Sequence, residues 1–218
     1  MLVKKDRDNY WILNWLDEFM IGHKGFIVGG CFKNIINGEK VKDLDIFFKS
    51  LIDWEHAVQY YDELCGEDNE GGIYRFYYEN DNVKAYKHVR TGITIELCRK
   101  IFGTAEEILN SFDFTIVKFA YYKEEVTDEP HPFDDEEIDT HIEYKIICHD
   151  QFFKHLHTKR LVIDDKIPFP MSTFERMFRY AKYGYFPCRE TKMKIIQALH
   201  EVPSEQIELS SSMYDGMD

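Results

Sequence analysis

At 218 residues, with 44% hydrophobic and 16% aromatic content, the chain is built to bury a core, which excludes a disordered linker or tail. A net charge of −13 excludes a surface that attracts nucleic acid everywhere, so any polynucleotide partner has to be held locally by a basic strip. No apolar run reaches the roughly 18–20 residues that span a bilayer, and the N-terminal MLVKKDRDN lacks the apolar segment of a signal peptide. The five cysteines (Cys31, Cys65, Cys98, Cys148 and Cys188) are scattered without a C-x-x-C pair, which points to free thiols in a reducing cytoplasm and away from structural zinc.

In chain order, the pattern predicts an amphipathic helix over residues 8–20, with Trp11, Leu13, Trp15, Leu16 and Phe19 on its apolar side. A short buried strand over 25–28 runs into Gly29–Gly30, a short helix over 31–37 stops at Asn37–Gly38, and a second strand covers 42–49. Residues 51–64 read as a helix. Two alternating stretches, 73–78 and 83–88, flank ENDN as a hairpin. A strand over 93–98, a helix over 105–111 and a strand over 114–122 complete a mixed α/β head to about residue 125. An acidic loop (126–140) follows, then a helix-rich part over 141–205 with a strand at 141–148 and helices at 150–157, 172–184 and 189–202. The acidic end, 206–218, reads as a disordered tail. The expected fold class is α+β, a short mixed sheet flanked by helices with a small helix-rich C-terminal part.

The segment FIVGGCFKNIINGEKVKDLDIFF (26–48) concentrates the chemistry. Side chains two apart on a strand share a face, so Asp43 and Asp45 stand side by side while Leu44 and Ile46 face the core. Two neighbouring carboxylates repel unless a cation sits between them, and Mg²⁺ is the usual hard ion at phosphate-handling sites. Gly29–Gly30 is the complementary half: a turn without side chains lets backbone N–H groups approach phosphate, beside the positive end of the next helix.

With its spacer of residues 31–42 between Gly30 and Asp43, this segment resembles the signature of the polymerase-beta superfamily of nucleotidyltransferases. It is most similar to the head of tRNA CCA-adding enzymes and bacterial poly(A) polymerases. GITIELCRK resembles the strand that carries the third carboxylate, which the resemblance places at Glu96. SFDFTIVKFA resembles the family's Arg-Asp-Phe-Thr-Ile-Asn-Ala motif and gives Asp113, Phe114 and Thr115; FERMFRYAKYGYFP resembles the neck helix and gives Arg176, Arg179, Tyr180 and Gly184. The match spans residues 26–187 in the family's order. It departs from the family at Lys33–Asn34 (family Arg-Asp), Phe112 (Arg), Val117 (Asn, in the sugar-holding motif) and Thr173 (the first neck arginine). The family's long C-terminal tRNA-gripping body has no counterpart in these residues.

The resemblance implies a two-Mg²⁺ nucleotidyltransferase, with Mn²⁺ as a substitute. It would move a nucleoside monophosphate from an NTP to an acceptor hydroxyl, an RNA 3′ end, and release pyrophosphate. Asp43, Asp45 and Glu96 would be catalytic and hold metal; Gly29, Gly30, Lys33, Asp113, Arg176 and Arg179 would bind the nucleotide. Two alternatives stand beside this: a protein hydroxyl as acceptor, the chain being a modifying enzyme or toxin, and a nucleotide-binding regulator without turnover. Plainer readings also stay open for single residues. Glu96 could pair with Arg99 or Lys100, Asp113 could bond its own turn, and Arg176 and Arg179, on one helix face, could pair with Glu175. His155-Leu-His157 lacks a third metal ligand. Cys31 reads as a small hydrophobe, and the aromatics at Tyr60, Tyr61, Tyr74, Phe76, Tyr77 and Tyr78 read as packing.

Overall fold

The computed structural model describes residues 1–66, 71–127, 140–164 and 167–203, so most of the acidic loop and all of the tail expected from the sequence lie outside the described residues. The chain divides into two compact units, one of residues 1–109 and 119–148, the other of residues 110–118 and 149–218.

The first unit is built on an eight-stranded mixed sheet in the order β1-β8-β7-β2-β3-β6-β5-β4. Its strands are β1 (Leu2–Asp6), β2 (Phe26–Val28), β3 (Asp43–Phe48), β4 (Tyr74–Glu79), β5 (Val83–His88), β6 (Thr94–Phe102), β7 (Phe119–Thr127) and β8 (Thr140–His149). Pairing is parallel between β3 and β6 and antiparallel at β2–β3, β2–β7, β5–β6, β4–β5 and β7–β8. The mixed α/β class expected from the sequence is therefore present. Ile27, Val28, Leu44, Ile46, Phe48, Ile95 and Leu97 on the three central strands are fully buried.

Local chemistry sets the helices. Helix α1 (Cys31–Ile36) follows the glycine turn. Helix α2 (Leu51–Leu64) is N-capped by Ser50, which accepts from the Asp53 amide at 3.2 Å and donates its hydroxyl to the Asp53 carboxylate at 2.7 Å. Helix α3 (Ala105–Asn110) opens on a capping box, Thr104 and Glu107 each accepting the other's amide. Residues Arg7–Met20 form a 3-10 helix with a break at Tyr10, where the sequence predicts an α-helix. Leu13, Leu16 and Phe19 recur every third residue, which is the 3-10 period, and Trp11 is left 77% exposed.

Helix α2 covers one face of the sheet. Tyr86 stacks on Tyr61 at 5.2 Å and donates to Asp62 at 2.7 Å, and the Trp54 indole donates to the Leu97 carbonyl at 3.1 Å. Ala85, next to Tyr86, points to the other face.

In the second unit, the expected strand over 114–122 begins instead as a 3-10 turn, Thr115–Val117, whose residues are all buried. It packs on α4 (Phe152–His157), and Thr115 shares a 2.8 Å hydrogen bond with His155. The short β9 (Arg160–Leu161) and β10 (Phe186–Pro187) pair in parallel beside α5 (Pro170–Lys182) and α6 (Arg189–His200). Helix α5 ends in a Schellman motif, with Gly184 at φ +80° and Tyr185 N–H bonded to the Tyr180 carbonyl at 3.0 Å.

Candidate functional site

Register brings the three sequence-predicted carboxylates onto one face of the first unit. Asp45 pairs with Glu96 across the parallel β3–β6 ladder, and Asp43, two residues back, pairs with Thr94. Glu96 is opposite Ala85, and Ala85 is opposite Tyr78. Asp45, Glu96, Ala85 and Tyr78 thus form one cross-strand row, on the face that α2 does not cover. Asp43 is exposed, and Asp45 and Glu96 are half-buried. Glu96 is not taken up by Arg99, which pairs with Glu79 and lies over Trp54 on the α2 side. Instead the Tyr78 hydroxyl donates to Glu96 Oε1 at 2.7 Å.

The field of this cluster reaches two buried thiols. Burial pushes Cys31 well up, reinforced by Asp45 and Asp43; burial pushes Cys98 up, reinforced by Asp45 and Glu96. A thiol held in its neutral form is no nucleophile, in keeping with the hydrophobe reading of Cys31. Burial and the Glu96 carboxylate likewise raise the Tyr78 phenol.

A neighbouring row on the same face carries the opposite sign. Asp43 is followed across the sheet by Thr94, Lys87 and Arg75, and the Lys87 ammonium lies 5.3 Å from the centre of the Tyr77 ring. Lys87, Arg75 and Tyr77 are exposed. Sequence reasoning asked for a basic strip without finding these residues. The available signal was the unbroken aromatic run Phe76-Tyr77-Tyr78, which violates strand alternation and marks a register change.

The remaining predicted site residues are engaged locally. Gly29, at φ +102°, has a backbone only glycine adopts readily, and its amide donates to the Phe119 carbonyl at 3.0 Å, so it is a hinge between β2 and α1. Gly30 is half-buried at the start of α1. Lys33 is buried, its ammonium held by Asn34 and by Glu39 at 3.2 Å.

In the second unit, Asp113 is 3% exposed; it accepts the Phe114 amide at 2.7 Å and the Thr173 hydroxyl at 3.1 Å, and pairs with Arg176 at 3.4 Å. Arg179, three residues on, is exposed on α5, so Arg176 and Arg179 have different surroundings. Val117 is buried, and its side chain belongs to the core. His155 is buried on Thr115 rather than holding metal, and burial lowers its pKa.

Carboxylate oxygens are the donors a hard divalent cation takes, and three of them stand on one face of adjacent strands, Asp45 in register with Glu96 and Asp43 one row away. Among the described residues, no three Asp, Glu, His or Cys side chains stand close enough together to hold a metal ion; what the backbone supplies is the placement of the three carboxylates on one face. A groove of about 950 Å³ elsewhere in this unit, lined by His23, Lys49, Asp53 and Lys123 among others, includes none of the three.

Solved structures share a nucleotidyltransferase-like fold with this chain. A CCA-adding enzyme in its apo form aligns with TM-score 0.58 at 15% identity, over 91% of this chain and 46% of that one. The Thermotoga maritima CCA-adding enzyme complexed with tRNA aligns at TM-score 0.53 and 16% identity, over 92% and 47%. A CCA-adding enzyme complexed with CTP gives 0.54 and 16%, over the same shares. The chain itself belongs to the Gabija anti-defense 2 family, whose model matches residues 6–159. A relative described as Gabija anti-defense 2, from Bacillus phage SPbetaL7, is 22% identical over 204 residues, 93% of this chain and 44% of the relative. The chain therefore spans about half the length of the proteins it matches. No described helix is long and apolar enough to cross a membrane.

Proposed function

We propose that this chain is the catalytic part of a metal-dependent nucleotidyltransferase that moves a nucleoside monophosphate from an NTP to an acceptor hydroxyl. The observation that carries this reading is the pairing of Asp45 with Glu96, with Asp43 on the same face one row away. Asp43, Asp45 and Glu96 would hold the divalent ions. Bound there, such ions supply activation of the acceptor hydroxyl and stabilisation of the departing pyrophosphate. The protein's own part is orientation: β3 and β6 fix the three carboxylates relative to one another, and the Gly29 hinge sets α1 against β2.

We favour an RNA 3′ end as acceptor. The strip of Arg75, Tyr77 and Lys87 supports this, because it offers phosphate contacts and a stacking ring beside Asp43 in an otherwise acidic chain. A second reading, a hydroxyl on a protein of the host's Gabija defence, is favoured by the family match. Incubation with α-labelled NTPs plus total RNA or total cell protein separates them. Label in RNA supports the first and label in protein the second; binding without transfer refutes both.

A further inference from the structure

We propose that Tyr78 is a positioning residue for Glu96, aimed at it by a β-bulge in β4; this rests on the proposed role of the three carboxylates. The pairing of β4 with β5 shifts register between Phe76 and Tyr78. Phe76 is opposite Tyr86, which faces α2, whereas Tyr78 is opposite Ala85, which faces away from it. Tyr77 is thus the extra residue. In a regular strand, residues 76 and 78 would share a face and Tyr78 would point toward α2. The bulge turns it onto the carboxylate row, as bulges beside functional sites do.

Ala85 completes the arrangement. It lies between Tyr78 and Glu96 in the row, is fully buried, and carries only a methyl group, so the phenol passes over it to reach Glu96 Oε1. A glutamate on a strand has three rotatable torsions, and without a partner its carboxylate samples many orientations. The hydrogen bond fixes Oε1 and leaves Oε2 as the oxygen to turn toward Asp45, the in-register neighbour. Partners of this kind orient metal-ligating groups, and losing one typically weakens metal binding about 10–100-fold.

The test uses Mn²⁺ alone as probe, titrated into the purified full chain and followed by the paramagnetic signal of the free ion. Tyr78→Phe keeps the ring and removes the hydroxyl. Its Mn²⁺ affinity is expected to fall about 10–100-fold, with the metal-free melting temperature near that of wild type. In turnover, kcat should fall while KM for the NTP changes little. Deleting Tyr77 removes the extra residue yet leaves Tyr78 opposite Ala85 on the carboxylate face, so that variant is expected to keep wild-type Mn²⁺ affinity; should it fail to fold, Tyr78→Phe decides alone. Wild-type Mn²⁺ binding in Tyr78→Phe, alongside loss in Asp45→Asn, overturns the positioning role and leaves the carboxylate reading standing. Wild-type binding in both variants overturns the two together.

Discussion

Asp43 and Asp45 are an expensive choice for a strand whose alternate residues, Leu44 and Ile46, are fully buried. Like charges on one face repel, so removing one should not weaken the metal-free fold. Asp45→Ala is therefore expected to abolish transfer while leaving the metal-free melting temperature equal to or above that of wild type. Paired measurements of turnover and thermal melting check this, and a lower melting temperature would mean that Asp45 is structural. Asp113 is expected to behave in the opposite way. Its buried carboxylate serves the Phe114 amide, Thr173 and Arg176, tying α5 to the preceding 3-10 turn. Asp113→Ala should cost about 1–3 kcal/mol in urea unfolding, and Asp113→Asn less, because the amide oxygen still accepts. The Asp pair was legible in the sequence because its spacing is local. The binding of Arg176 to Asp113 was not, because nothing in a sequence says which distant carboxylate a half-exposed arginine turns toward.

At the scale of elements, what the sequence made legible was what local chemistry decides. The caps Ser50–Asp53 and Thr104–Glu107 start their helices where the sequence says, and the ENDN turn closes the β4–β5 hairpin, with Asn80 Oδ1 accepting from the Asn82 and Val83 amides. Phe114 to Val117 misled because the run is buried throughout, and a short apolar run without alternation fits a strand or a helical turn equally. The β4 bulge was written in three consecutive aromatics, but which one is extra depends on β5, a non-local fact. The basic strip has its own consequence. If single-stranded RNA lies along Lys87 and Arg75, changing either to Ala should weaken RNA binding for every sequence and reduce the salt slope by about 0.7 for each phosphate left without its cation. Tyr77→Ala should weaken binding without changing that slope, because stacking releases no counterions. Fluorescence anisotropy at several salt concentrations measures both quantities; an unchanged slope in Lys87→Ala would remove the strip from RNA binding.

Across the whole molecule, buried histidines make the fold sensitive to acid. His23 shares hydrogen bonds with the Phe19 carbonyl and the Gly25 amide, and burial lowers its pKa from 6.5 to about 4. His88, His149 and His155 are lowered too, each mainly by burial. The folded state therefore resists protons that the unfolded chain takes up. Stability is whole above about pH 6.5 and declines as pH falls toward 4, His23 alone accounting for about 3 kcal/mol of the decline. Urea unfolding across this range checks the slope, which should flatten in His23→Gln.

If the face carrying Asp43, Asp45 and Glu96 transfers nucleotides, pyrophosphate leaves in the same step and reports the transfer itself. Purified chain with Mg²⁺, NTP and the acceptor fraction that takes up label should release pyrophosphate in step with labelled product, and Asp45→Ala and Glu96→Gln should each lower the rate by orders of magnitude at unchanged melting temperature. Release by Asp45→Ala at the wild-type rate would show that this face does not carry the reaction.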